Sequence, residues 1–140
     1  ELTKTYGWLS SGGNIPAAYL TGLLCGLKAI ANGVKTAFLD VGLHIPSKGT
    51  RVFAALKGVV DAGVEVPHSD DMIPDESRIS GKHIVAYCNQ LSSDHEIYQQ
   101  RFSRLLRSGL HLEDITDHFY KVKGKITSSF DKRKGQKEET

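Results

Sequence analysis

The chain has 140 residues, 39% of them apolar and 24% charged, with a formal net charge of +2; this balance suits one domain with a filled core and excludes a disordered chain. No apolar run reaches the roughly 18 residues of a membrane-crossing helix, and no basic-then-apolar leader opens the chain, so a soluble protein of the cell interior is expected. Residues 1–67 carry six Lys/Arg against four Asp/Glu, residues 68–100 two against six, and residues 101–140 ten against six, so the final third is a surface fit for a polyanion or a solvated helix face.

ELTKTYGW opens the chain without an initiator Met, and the start is expected to be that of a processed product or of a piece of a longer polypeptide. SSGGNIPAAYLTGLLCGLKAIANG then reads as a helix. Asn14 is placed to cap it, Pro16 lies in the first turn where a missing N–H costs nothing, and Gly33 can stop it. Leu20, Leu23, Leu24, Leu27 and Ile30 form an apolar stripe at spacings of three and four. Gly22 and Gly26, four apart on one face, each cost about 1 kcal/mol against Ala unless close backbone approach offsets it.

TAFLDV, residues 36–41, has the β-branched and apolar character of a strand covered on both faces. A second helix is predicted from about Thr50 to Ala62, with Val52, Phe53, Leu56, Val59 and Val60 inward and Gly63 as its stop, followed by VEV as a short strand ending at Pro67. The order helix, strand, helix, strand predicts an α/β layer with parallel neighbours. Two short strands are too few to bury both helices. Further strands are therefore expected from another chain or from upstream sequence, which makes residues 1–67 the latter part of an α/β core domain.

Residues 68–81, HSDDMIPDESRISG, predict an acidic connecting loop at the surface. Three helices should follow, at about 82–91, 94–107 and 113–126. Ser93 and Glu96 stand at capping-box spacing on the second, and Gly109 follows it as a stop. Leu112, Ile115, Phe119, Val122 and Ile126 give the third a packing stripe. Residues 82–126 are thus expected as a helical C-terminal extension and residues 127–140 as a basic mobile tail. Cys25 and Cys88 lack any C-x-x-C spacing and are expected as buried free thiols.

LDVGLHIPSKGTRVF, residues 39–53, carries the chemistry. A Walker-type loop has Lys directly after its second Gly, whereas here Lys48 precedes Gly49, and no G-x-G-x-x-G turn is present. What remains is a loop entering a helix N-terminus with two cations, Lys48 and Arg51, and the hydroxyls of Ser47 and Thr50. Such a loop can hold an isolated backbone phosphate, because helix-end amides and cations need no fixed nucleotide pose. The plainer alternative is that Ser47 or Thr50 caps the helix and Arg51 is solvated. Asp40, His44 and Asp61 could instead hold Mg²⁺ for phosphoryl transfer, although Asp61 lies about two helical turns past Thr50. The six histidines show no H-x-x-x-H pair, and no G-x-S-x-G elbow occurs; neither a zinc site nor a nucleophilic triad is expected.

GGNIPAAYLTGLL, LDVGLHIPSKGTRVFAALKGVVDAGVEVPHS and FSRLLRSGLHLEDITDHFYKVKGKI together resemble the archaeal and eukaryotic branch of the ribosomal protein family that binds 5S rRNA in the central protuberance, number eighteen of the universal large-subunit set. The resemblance runs from about Tyr6 to Ile126. It implies an α/β fold of ribonuclease-H-like topology, a mixed sheet flanked by helices, with N-terminal strands lacking here and a C-terminal helical extension. It implies RNA contacts at His44, Ser47, Lys48, Gly49, Thr50, Arg51 and Lys57, and at Gly12, Gly13 and Asn14. Arg101, Arg104, Arg107, Lys121, Lys123 and Lys125 would be a secondary basic face toward ribosomal RNA. The implied partners are 5S rRNA, large-subunit rRNA and neighbouring ribosomal proteins, on cytoplasmic ribosomes, with no cofactor, metal, membrane or small-molecule substrate. A structural, non-catalytic role is the leading expectation. A metal-dependent nuclease-like enzyme using Asp40 and Asp61 is the rival.

Overall fold

In a computed structural model the backbone is described for residues 1–91, 95–107 and 109–138; within these stretches the side chains at 95, 98, 101, 104–106, 112 and 132–138 are left undescribed. The described residues are mostly helical: α1 (Leu2–Tyr6), α2 (Ile15–Ala31), α3 (Arg51–Asp61), α4 (Glu76–Ile79), α5 (Lys82–Leu91), α6 (His95–Arg107) and α7 (Ile115–Glu138).

Local signals set the ends of α2 and α3. Asn14 caps α2, its Oδ1 accepting from the Ala17 amide at 2.9 Å, and Gly33 just past the end has φ +84°. Thr50 takes the N-cap position of α3 without a side-chain cap hydrogen bond, and the chain leaves this helix through Gly63 at φ +104°. The two helices then meet backbone to backbone. A Cβ on Gly22 would collide with the Ala55 carbonyl, one on Gly58 with the Tyr19 carbonyl, and one on Gly26 would lie 2.6 Å from the Ala62 methyl. This close approach is what the glycines make possible.

The main core joins α2 to α1 and α7 through buried Trp8, Tyr19, Leu20, Phe119, Val122 and Ile126. A second cluster under α3 holds Phe53, Leu56, Val64 and Val66, and a third gathers Cys88, Phe102 and Ile115. The Tyr19 hydroxyl donates to Asp61 at 2.7 Å, Lys57 pairs with the same carboxylate at 2.8 Å, and the Lys123 ammonium stands 5.0 Å over the Tyr19 ring. Burial, and then the bond to Asp61, push the Tyr19 pKa upward and keep it a donor.

Several expectations are corrected. The mixed sheet is not formed by the described residues, whose β-structure is one parallel bridge between Thr36 and Glu65. The Ala37 amide donates to Glu65 at 2.9 Å and the Glu65 amide to Lys35 at 2.8 Å. Beyond Ala37 no segment among the described residues continues the ladder, and Phe38 stands 85% exposed instead of covered on both faces. The segment 68–81 is not a plain loop: it holds a 3₁₀ turn at Asp70–Met72 and α4, and it buries Ile79 and Ser80. The last helix runs to Glu138, not Ile126, because Phe130 extends the apolar stripe by one more step into the core. Cys25 lies exposed on α2, away from the face packed on α3 and α7, whereas Cys88 is buried and its thiol is pushed up to about 11. The Ser93 capping box lies outside the described residues.

The opening segment was not foreseen as structure. Gly7, at φ 75°, ends α1 and turns Trp8 inward, where it is 1% exposed with Nε1 donating to the Ser11 carbonyl at 3.2 Å. The Trp8 ring stacks on His118 at 5.2 Å, and His118 Nε2 accepts from the Leu9 amide at 3.1 Å. Burial, then the charges of Lys125 and Lys121, hold His118 below the ordinary 6.5, and burial does the same to His83. Protonating either ring favours the unfolded chain. The stability they contribute is fully present above the unfolded value of 6.5 and is lost as pH falls below it toward the folded values. Urea midpoints should therefore fall between about pH 7.5 and about pH 5.5, and His118→Gln, which keeps an acceptor but does not titrate, should flatten that fall. A slope unchanged in His118→Gln would remove His118 from this account.

Candidate RNA interface

The loop between the bridge and α3 is shaped by glycine. Gly42 (φ +56°) and Gly49 (φ +68°) turn the chain where other residues would be strained. The Gly42 amide donates to Asp40 Oδ1 at 2.8 Å, the His44 amide to the Val41 carbonyl at 3.1 Å, and the Gly49 amide to the Met72 carbonyl at 3.0 Å. The loop is thereby tied to the 3₁₀ turn across from it, and Lys48 reaches Asp71 from there at 3.8 Å. Both side chains are exposed, so this pair contributes little.

Arg51 does what neither sequence-level alternative anticipated. Its Nη1 donates to the Gly13 carbonyl at 3.0 Å, joining segments 38 residues apart. The two candidate regions thus become one. Gly12, Gly13 and Asn14 on one side and His44, Ile45, Thr50 and Arg51 on the other, with Ala18 and Val52, line an open cleft of about 490 Å³ at the start of α3. Thr50 makes no cap bond with its side chain, so its hydroxyl is not consumed by the helix in the way the plainer reading required. Asn14, by contrast, is spent on the α2 cap and on Ser10, to which Nδ2 donates at 3.3 Å.

Some predicted residues lie elsewhere. Lys57 is engaged with Asp61 on α3 and does not line the cleft. Ser47 and Lys48 are exposed on the loop without lining it. Of the secondary basic set, Arg107, Lys121 and Lys125 are exposed and Lys123 is half-buried over Tyr19; the side chains of Arg101 and Arg104 lie outside the described residues. Ile45, Ala18 and Val52 were missed as cleft residues. The available signal was Ile45 itself, an apolar residue inside an otherwise polar loop.

The acids proposed for metal chemistry are occupied. Asp61 accepts from Tyr19 and pairs with Lys57, while Asp40 caps the Gly42 turn. His68 binds the Val66 carbonyl through Nδ1 at 2.6 Å and faces Asp70 at 3.5 Å. Among the described residues no group of three or more His, Cys, Asp or Glu side chains is placed to hold a metal ion.

A family model described as ribosomal large subunit proteins 60S L5 and 50S L18 matches residues 31–69, a stretch that includes the bridge, the loop and α3. A large ribosomal subunit protein uL18 from Caldivirga maquilingensis is 48% identical over 141 aligned positions, covering 100% of this chain and 68% of the relative. Proteins of the same name from Aeropyrum pernix and Ignicoccus hospitalis are 49% and 50% identical over 93% of this chain, with 61% and 64% of their own lengths covered. The chain belongs to the uL18 family. It spans between 61% and 68% of the length of these uL18 proteins. The name uL18 denotes a ribosomal protein and no reaction, which agrees with the commitment of Asp40 and Asp61 to internal bonds. Among the described residues no helix is long and apolar enough to cross a membrane.

Proposed function

We propose that this uL18-family chain is a structural constituent of the large ribosomal subunit, acting in the cytoplasm, and that it binds 5S rRNA and helps attach it in the central protuberance. The observation that carries the reading is the Arg51 bond to the Gly13 carbonyl, which sets a cation and two stretches of accessible backbone around one cleft at the head of α3. Cations and helix-end amides recognise phosphates by position rather than by base sequence. Lys48, whose partner Asp71 is exposed and 3.8 Å away, can exchange it for a phosphate. Residues 1–67 supply this contact, residues 68–81 connect it to the helices that follow, and the exposed Arg107, Lys121 and Lys125 on the later helices add a second basic face for large-subunit rRNA and neighbouring proteins.

Arg51→Ala should weaken 5S rRNA binding by about tenfold, the worth of one charge-assisted hydrogen bond. It should also reduce the slope of log affinity against log salt by roughly one contact. Lys35→Ala, which changes a lysine outside the cleft, should have a clearly smaller effect. Filter binding over a salt series measures both, and equal losses in the two variants would remove the loop from the interface.

A further inference from the structure

The run between α1 and α2 is held by two side chains from later in the sequence. At its start the Leu9 amide donates to His118 Nε2 on α7 at 3.1 Å, and the Trp8 ring stacks on the same imidazole at 5.2 Å. At its end the Gly13 carbonyl accepts from Arg51 Nη1 on α3 at 3.0 Å. Short bonds link the two ends: Trp8 Nε1 donates to the Ser11 carbonyl at 3.2 Å, the Gly13 amide to Ser11 Oγ at 3.3 Å, and Asn14 Nδ2 to Ser10 Oγ at 3.3 Å. The carbonyl that sets the direction of the Arg51 guanidinium is therefore tied in turn to α7.

The bond at the α7 end exists in one protonation state of His118. A neutral imidazole with its proton on Nδ1 accepts at Nε2, whereas the imidazolium donates from both nitrogens and turns an N–H toward the Leu9 N–H. The Trp8 face attracts an imidazolium. Burial and the charges of Lys125 and Lys121 oppose it, and the ring is held below its ordinary 6.5. Residues 8–13 carry no ionisable side chain. On α1, Lys4 is exposed and Glu1 is paired with Lys28, while Asp114 and Asp117, the carboxylates nearest His118 along the chain, are exposed. Leu9 is 45% exposed, so its amide can pass from the ring to water without unpacking α2, α3 or α7. We propose that His118 is a positioning residue for Arg51: the neutral ring holds the run from Leu9 to Gly13 in place, and protonation releases that run and frees the guanidinium from its fixed direction while the helices stay packed. The inference rests on the RNA-binding reading above and adds a regulation to it, an RNA contact that slackens as pH falls through the range in which His118 titrates.

The test uses the full chain and His118→Gln, which keeps an acceptor for the Leu9 amide and does not titrate. In proton–nitrogen NMR spectra recorded from about pH 7.5 to about pH 5.5, the Leu9 and Gly13 amide signals should move together with the His118 ring, while those inside α2 and α3 stay in place. In His118→Gln the Leu9 amide should not move. Over the same range, the affinity of the wild-type chain for 5S rRNA relative to that of His118→Gln should fall about threefold, the cost of ordering one long side chain on binding. Comparing the two chains removes the opposite effect of His44, whose protonation at the cleft favours a polyanion. With Arg51→Ala in both chains, the ratio should no longer depend on pH. A Leu9 signal that moves while Gly13 does not, or an affinity ratio constant with pH in chains that bind 5S rRNA, would overturn this proposal alone. A ratio that falls equally with Arg51→Ala present would overturn the route through Arg51. Failure to bind 5S rRNA at either pH would overturn the functional reading and this inference with it.

Discussion

Gly58→Ala lowers the stability of the chain by on the order of 3 kcal/mol, at the upper end of the cost of overpacking. The added methyl would be driven into the Tyr19 carbonyl and the Leu23 amide, which are helix backbone and cannot rotate away as a side chain can. Gly22→Ala meets the Ala55 carbonyl in the same manner and should cost a similar amount. The gain in helix propensity, about 1 kcal/mol per site, offsets only part of this loss. Gly124→Ala is the control, since it sits on α7 with nothing within 4 Å of its would-be Cβ, and it should stabilise by roughly 0.5–1 kcal/mol. Urea unfolding of the three variants tests the sign reversal. If all three behaved alike, the α2–α3 contact described above would be wrong.

Phe119→Ala should cost about 4 kcal/mol, the cavity-forming loss of a fully buried aromatic ring. Phe119 is 0% exposed and its ring lies 5.7 Å from Tyr19, so it joins α7 to α2 at the centre of the main core. Phe119→Leu, which keeps most of the volume, should cost less than about 1.5 kcal/mol. Tyr120→Ala removes a neighbouring ring that is 46% exposed and should be milder still. Denaturation midpoints should rise in the order Phe119→Ala, Phe119→Leu, Tyr120→Ala. A loss at Tyr120 as large as at Phe119 would mean that α7 presents a different face to the core.

What could be read beforehand was local. Asn14, Pro16 and Gly33 marked α2, Thr50 and Gly63 bracketed α3, and the α7 stripe was visible because Ile115, Phe119, Val122 and Ile126 repeat with the helix. The glycine pair on α2 announced a close neighbour without naming it; α3 supplies it through Gly58, a residue the pattern did not single out. The segment at 36–41 misled because apolarity reports a demand for cover, whereas a sheet also needs paired backbone, and among the described residues only Thr36 and Glu65 pair. Trp8 was unreadable because its burial depends on His118, which no short-range spacing connects to it. The cleft was half legible. Both walls were suspected separately, but their union depends on one bond across 38 residues from Arg51 to Gly13.

The Tyr6 hydroxyl meets the Ser129 hydroxyl at 3.1 Å across a sequence separation of 123. During synthesis the contact of α1 with α7 therefore waits until α7 has left the exit tunnel, whereas α2 and α3 can pair once residue 61 has emerged. Nascent chains should thus acquire the glycine-packed pair of α2 and α3 early and close the Trp8–His118 contact late.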